Sequence, residues 1–132
     1  MPLTTVATEG GVRVLLADDD EAFLASLRGL IEAQGELSVV GTATNGLAAI
    51  ELVDRLAPDA AVLDLHMPLL DGVTAIPRLR RDHPSLCLIA LTGDDAPALH
   101  VAARESGADD VLLKTEFFEG LVRRLTAAQV PA

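Results

Sequence analysis

Five short aliphatic runs, each followed by a longer amphipathic stretch, constrain this chain more than any other feature. Val12 to Ala17 is a continuous aliphatic run, the pattern of a buried strand. It stops at Asp18-Asp19-Asp20, and Asp20 is suited to cap the helix that follows. That helix carries Phe23, Leu27, Leu30 and Ile31 on one face, and Gly35 stops it. Leu37 to Gly41 reads as a second strand. Asn45 to Leu56 reads as a second helix, with Ala49, Leu52, Val53 and Leu56 inward and Pro58 just past its end. Ala60 to Leu63 is a third strand and runs into Asp64. A third helix starts near Asp71-Gly72; Pro77 within it predicts a kink or a shortening, and Pro84 ends the element. Leu86 to Leu91 is the fourth strand and runs into Thr92-Gly93. A weakly amphipathic helix over Asp95 to Ser106 is terminated by Gly107. Val111 to Leu113 is a short fifth strand ending at Lys114. The last helix, about Glu116 to Ala128, presents Phe117, Leu121, Val122 and Leu125.

Strictly alternating strands and helices imply a parallel sheet with right-handed crossovers and helices on both faces. The 132 residues suit one domain over residues 12–128, with residues 1–11 and 129–132 as tails, the last four being a tail or the start of a linker. Half the residues are apolar and only 2% aromatic, so the core must be aliphatic. A formal charge of −10 argues against nucleic acid or anionic lipid as a partner of this domain alone. The basic pairs Arg80-Arg81 and Arg123-Arg124 read as solvated helix faces. The single cysteine, Cys87, excludes an intrachain disulfide and reads as a buried, inert thiol. Met1 to Gly11 lacks a signal-peptide pattern, and no apolar run approaches the roughly 20 residues of a membrane span. A cytoplasmic protein with no membrane partner is the expectation.

In an open parallel sheet, ligands bind beyond the carboxyl ends of the strands. Here those ends carry Asp18 and Asp19, Asp64, Thr92 and Lys114. Any one of them has an ordinary explanation, such as a cap, a turn residue or a surface charge. Together they put three carboxylates, a hydroxyl and an ammonium on one edge. Two carboxylates about 4 Å apart repel by about 4 kcal/mol at an effective dielectric of 20, so three need compensation. Lys114 supplies one positive charge, and a hard divalent cation would supply the rest. Mg²⁺ takes oxygen ligands and shares them with phosphate, whereas zinc lacks a ligand set here: Cys87 is alone, and His66, His83 and His100 have no metal-like spacing. Carboxylate, Mg²⁺, hydroxyl and lysine together suit phosphoryl transfer to a carboxylate nucleophile.

The stretches VLLADDD (14–20), VLDLHMPLLDG (62–72), ALTGDD (90–95) and SGADDVLLKT (106–115) resemble the receiver domain of two-component response regulators, with a NarL/LuxR-type flavour. The resemblance spans about residues 12–126. It implies a flavodoxin-like (βα)5 fold with strand order 2-1-3-4-5. It further implies Asp64 as phosphoacceptor, with Asp18, Asp19, Asp64 and the backbone carbonyl of His66 as Mg²⁺ ligands. Thr92 would be the switch hydroxyl, Gly93 would keep the approach open, and Lys114 would contact the phosphoryl group. The His66 imidazole is expected to be exposed. A sensor histidine kinase would be the phosphodonor, and the face of the fourth helix, fifth strand and fifth helix would control output or homodimerisation. Such a domain is a signalling phosphoacceptor rather than an enzyme.

Two departures stand out. Val111 occupies the position, three residues before the lysine, where the family usually has a switch aromatic. Thr115 stands where many relatives have proline, which leaves the geometry of that peptide bond open. Two rivals remain. A haloacid-dehalogenase-like phosphohydrolase would use Asp18 of an Asp18-x-Asp20 motif as nucleophile. A degenerate receiver would serve only as a scaffold.

Overall fold

The computed structural model describes residues 11–115 and 118–127. The strands are β1 (Val12–Ala17), β2 (Leu37–Ala43), β3 (Ala60–Asp64), β4 (Cys87–Thr92) and β5 (Asp110–Leu113). They alternate with α1 (Glu21–Glu32), α2 (Gly46–Leu56), α3 (Gly72–Asp82), α4 (Pro97–Ser106) and α5 (Phe118–Ala127). All pairings are parallel, in the order β2-β1-β3-β4-β5 expected of a flavodoxin-like fold. The expected side chain of Phe117 and the two tails lie outside the described residues, apart from Gly11. No helix among the described residues is long and apolar enough to cross a membrane.

The strand side chains alternate between two aliphatic layers, as the period of a strand requires. Val14, Leu16, Val62, Ile89 and Leu91 pack with Leu24, Leu27 and Ile31 of α1 and Leu121 and Leu125 of α5. Leu15, Leu63, Leu88 and Ala90 face the opposite way, onto α2, α3 and α4 through Ile50, Val53, Ile76, Leu79 and Ala103. Val111 is buried in this second layer.

Several expectations change on contact with the fold. The buried stripe of α1 is Leu24, Leu27 and Ile31, whereas Leu30 is exposed and Phe23 half-buried. The helix ends at Glu32, before Gly35, with Ala33 as its C-cap. Strand β2 runs past Gly41 to Ala43, because Gly41 serves close packing rather than chain reversal: a Cβ there would sit 3.0 Å from Leu56 Cδ1. Pro77 does not cut α3 short; the helix continues to Asp82. Helix α4 begins at Pro97, two residues later than expected, with the proline in its first turn, where a missing N–H leaves no bond unmade. Arg80 is no solvated charge, since its guanidinium makes five hydrogen bonds, to Gly107 O twice, Pro84 O, Leu86 O and Asp109 Oδ2. Cys87 is half-buried rather than sealed in the core, and burial, with a smaller push from Asp109, holds its thiol pKa above the ordinary value.

Candidate functional site

Asp18 follows β1 directly, Asp64 and Thr92 are the last residues of β3 and β4, and Lys114 follows β5. Parallel pairing aligns these ends. Ala17 pairs with Leu63, Asp64 with Leu91, and Thr92 with Leu113, so one edge of the sheet collects all four. The Lys114 amide donates to Thr92 O at 2.9 Å, extending the β4–β5 ladder to the lysine itself. No cis peptide bond occurs among the described residues, so the Lys114–Thr115 bond is trans.

Asp18, Asp19 and Asp64 each present a carboxylate oxygen within 4.8 Å of the others. Asp18 is 2% and Asp64 5% exposed, while Asp19 opens to solvent. Lys114 Nζ lies 2.7 Å from Asp18 Oδ2 and 3.3 Å from Asp64 Oδ2. The contact to Asp64 is a hydrogen bond. The contact to Asp18 is a close ion pair, and the ammonium is the neighbour of the buried Oδ2. The other oxygens are held by the chain: Asp18 Oδ1 accepts from the Asp20 amide at 2.9 Å, and Asp64 Oδ1 from the His66 amide at 3.2 Å. Three carboxylates against one ammonium leave the cluster short of positive charge. The clustered carboxylate oxygens suit a hard divalent cation, which prefers this donor type.

Burial pushes the Asp64 carboxyl above the ordinary carboxylate range, and the charge on Asp18 adds to it; the His66 amide and Lys114 act the other way. Burial alone would lower the Lys114 pKa, but its bonds and proximity to Asp18 and Asp64 outweigh that and raise it. The ammonium is therefore fixed in its charged form by the carboxylates it faces.

Thr92 is fully buried, and its Oγ1 accepts from the Asp94 amide at 3.0 Å. Asp94 is tied in turn to α4. Its carbonyl accepts from His100 Nε2 at 2.8 Å, and its Oδ1 accepts from the Ala96 amide at 2.9 Å. A Cβ on Gly93 would meet nothing within 4 Å, so the space beside Thr92 is open. The His66 side chain is exposed, as expected.

The loop after Asp64 is pinned by contacts that sequence reasoning missed. Leu69 is 74% exposed and takes a positive φ of 68°, at the centre of a tight turn in which the Leu70 amide donates to Pro68 O. A Cβ on Gly46 would lie 1.8 Å from Leu70 O, so the first residue of α2 presses on the loop backbone. The glycine before LAAI was the available signal. Phe23 was likewise assigned to the core, yet its ring centroid lies 4.6 Å from Lys114 Nζ.

The response regulator receiver domain family matches residues 14–126. The chain belongs to that family. Its receiver fold superimposes on the signal receiver domain of the putative response regulator NarL from Mycobacterium tuberculosis with a TM-score of 0.84 and 30% identity, covering 90% of this chain and 96% of that one. RcsB from Salmonella enterica serovar Typhimurium, solved bound to promoter rprA with the phosphomimetic BeF3-, gives a TM-score of 0.81 and 30% identity over 91% of this chain and 100% of that one. In sequence, the response regulator MprA of Mycobacterium leprae is 40% identical over 116 residues, 88% of this chain. The receiver spans about half the length of the curated MprA relatives it matches. It is thus the receiver domain of a response regulator in a two-component system. The dehalogenase-like alternative falls with this assignment.

Proposed function

We propose that Asp64 accepts a phosphoryl group in a Mg²⁺-dependent reaction and that α4 carries the result away from the site. The observation that carries the proposal is the convergence of Asp18, Asp19, Asp64 and Lys114 at one strand edge, three carboxylates against a single ammonium. A sensor histidine kinase is the proposed donor. An Asp64 carboxylate oxygen forms a bond to phosphorus while the bond from phosphorus to the kinase imidazole nitrogen breaks. The bonding electrons leave with the imidazole, and the phosphoryl group stays on Asp64. Asp18, Asp19, Asp64 and the His66 carbonyl would hold Mg²⁺, whose chemistry is to offset charge on the transferring oxygens. Lys114, already charged and next to Asp64, contacts a phosphoryl oxygen, and Thr92 donates its hydroxyl proton to another.

The Val111 departure bears on how the state is reported. A buried valine cannot make the aromatic rotamer change, but the hydrogen-bond chain Thr92–Asp94–His100 links the switch hydroxyl to α4. When Thr92 turns towards a phosphoryl group, the Asp94 amide is released and α4 can shift against β5 and α5. This supports an active switch over a degenerate scaffold. The same face would reach a partner copy, or an effector unit if the receiver belongs to a longer regulator.

Mass spectrometry after treatment with a small acyl phosphate tests the proposal. We expect one labile phosphoryl group that requires Mg²⁺ and is absent from Asp64→Asn. Labelling that persists in the variant, or none in the wild type, overturns it.

A further inference from the structure

Phe23 stands in the first turn of α1, where its amide donates to Asp20 Oδ1 at 3.1 Å as part of the helix cap. The cap links this residue to the loop that carries Asp18 and Asp19. Its side chain lies beside the buried stripe of Leu24, Leu27 and Ile31 and is only half-buried. Its ring lies against the Lys114 ammonium, 4.6 Å from centroid to Nζ, within the range in which a ring quadrupole attracts a cation. Nζ therefore sits among three partners: Asp18, Asp64 and an aromatic face.

These partners differ in what else they must do. On the phosphoacceptor reading both carboxylates have other duties, Asp64 towards the phosphoryl group and Asp18 towards the cation, that would compete with the ammonium for their oxygens. The ring has no lone pair to give up and carries no formal charge, so it competes with neither a metal nor a phosphoryl group. We propose that Phe23 is a positioning residue for Lys114, its ring face holding the ammonium over Asp64 while the two carboxylates exchange partners. This rests on the phosphoacceptor reading above. Without the ring, the four-carbon lysine stem is free to follow whichever carboxylate or solvent position is open, and the ammonium must be re-ordered in each turnover. A leucine would keep an apolar side chain against the core layer and remove the ring face from the ammonium.

Phe23→Leu and Phe23→Tyr, with Phe23→Met as a second apolar variant, separate the two roles. Thermal melts select the variants that fold. Labelling by a small acyl phosphate at saturating Mg²⁺ should slow by about 2- to 30-fold in Phe23→Leu and Phe23→Met and stay within about 2-fold of wild type in Phe23→Tyr. The Mg²⁺ concentration for half-maximal labelling should not move, since a phenyl ring offers a hard cation no oxygen ligand. In unphosphorylated protein carrying ¹³C-lysine, the Lys114 ε-methylene resonance should show an upfield ring-current shift in wild type and Phe23→Tyr and lose it in Phe23→Leu. A wild-type rate in folded Phe23→Leu would overturn the positioning role and leave the phosphoacceptor reading intact. A wild type that takes no label overturns the site reading, and the positioning role with it.

Discussion

The two ends of the sheet treat charge in opposite ways. At the amino ends, Arg80 makes five hydrogen bonds, and Asp109 Oδ2 accepts from both Arg80 and the Leu88 amide at 2.8 Å. Asp59 similarly accepts from the Arg13 amide at 2.8 Å. These donors and acceptors fasten α3, β4 and the turn before β5, beside a shallow cleft of about 240 Å³ that Arg80, Cys87, Asp109 and Arg124 help to line. At the carboxyl ends, three carboxylates crowd together and one lysine pairs with two of them, Asp18 and Asp64. At the first edge the fold itself supplies partners for Arg80 and Asp109. The second crowds like charges that Lys114 offsets only in part. The difference follows from the parallel sheet, which gathers loops with different duties at its two rims.

Substitutions at either rim should separate the two behaviours. The largest effect is expected for Asp64→Asn, which should cut labelling by more than about 100-fold while leaving the melting temperature unchanged or raised, because one crowded carboxylate is gone. Phosphorylation read by mass spectrometry beside a thermal melt decides this, and a variant that is both dead and strongly destabilised would contradict the contrast. Arg80→Met should do the reverse. Urea unfolding should report a loss of about 3 kcal/mol from stranded carbonyls and Asp109, with the labelling rate per folded molecule unchanged. Mg²⁺ at about 100 times its dissociation constant should stabilise the wild type by about 2.7 kcal/mol, and Asp18→Asn should remove most of that gain; equal stabilisation of both would place the ion elsewhere. The smallest effect concerns Cys87 at the amino rim. Its thiol pKa is raised in the fold, so the folded state holds the proton longer than the unfolded chain. That contribution is complete below the ordinary value of 9.0 and is lost as pH rises through the higher folded value. Iodoacetamide at pH 9 should therefore react several-fold more slowly with native protein than with protein in urea, and equal rates would show an open thiolate.

The carboxyl rim was more legible in the sequence than the amino rim, for a physical reason. Asp18, Asp64, Thr92 and Lys114 each end an aliphatic run, and a parallel sheet aligns run ends, so local pattern was enough to predict their meeting. Arg80 looked like one member of a basic pair because its acceptors are mainly backbone carbonyls, of Pro84, Leu86 and Gly107, and carbonyls leave no trace in residue identity. Leu30 was misplaced because the predicted face overlaps the buried stripe of Leu24, Leu27 and Ile31 at only two residues, while Phe23 packs on that layer at its edge. The late start of α4 reflects Pro97, whose fixed φ suits a first turn better than Asp95 does.

Gly46 carries a consequence for anyone altering this domain. It lies 18 positions before Asp64 and bears no chemistry, yet any side chain there would collide with the carbonyl of Leu70. A mutational scan should register position 46 as intolerant while its helical neighbour Leu47, with its side chain in solvent, accepts broad replacement. Grafting a foreign second helix into this scaffold would succeed or fail on that single hydrogen-for-methyl choice, because a displaced helix start would drag the acceptor loop out of register with the lysine across the cleft.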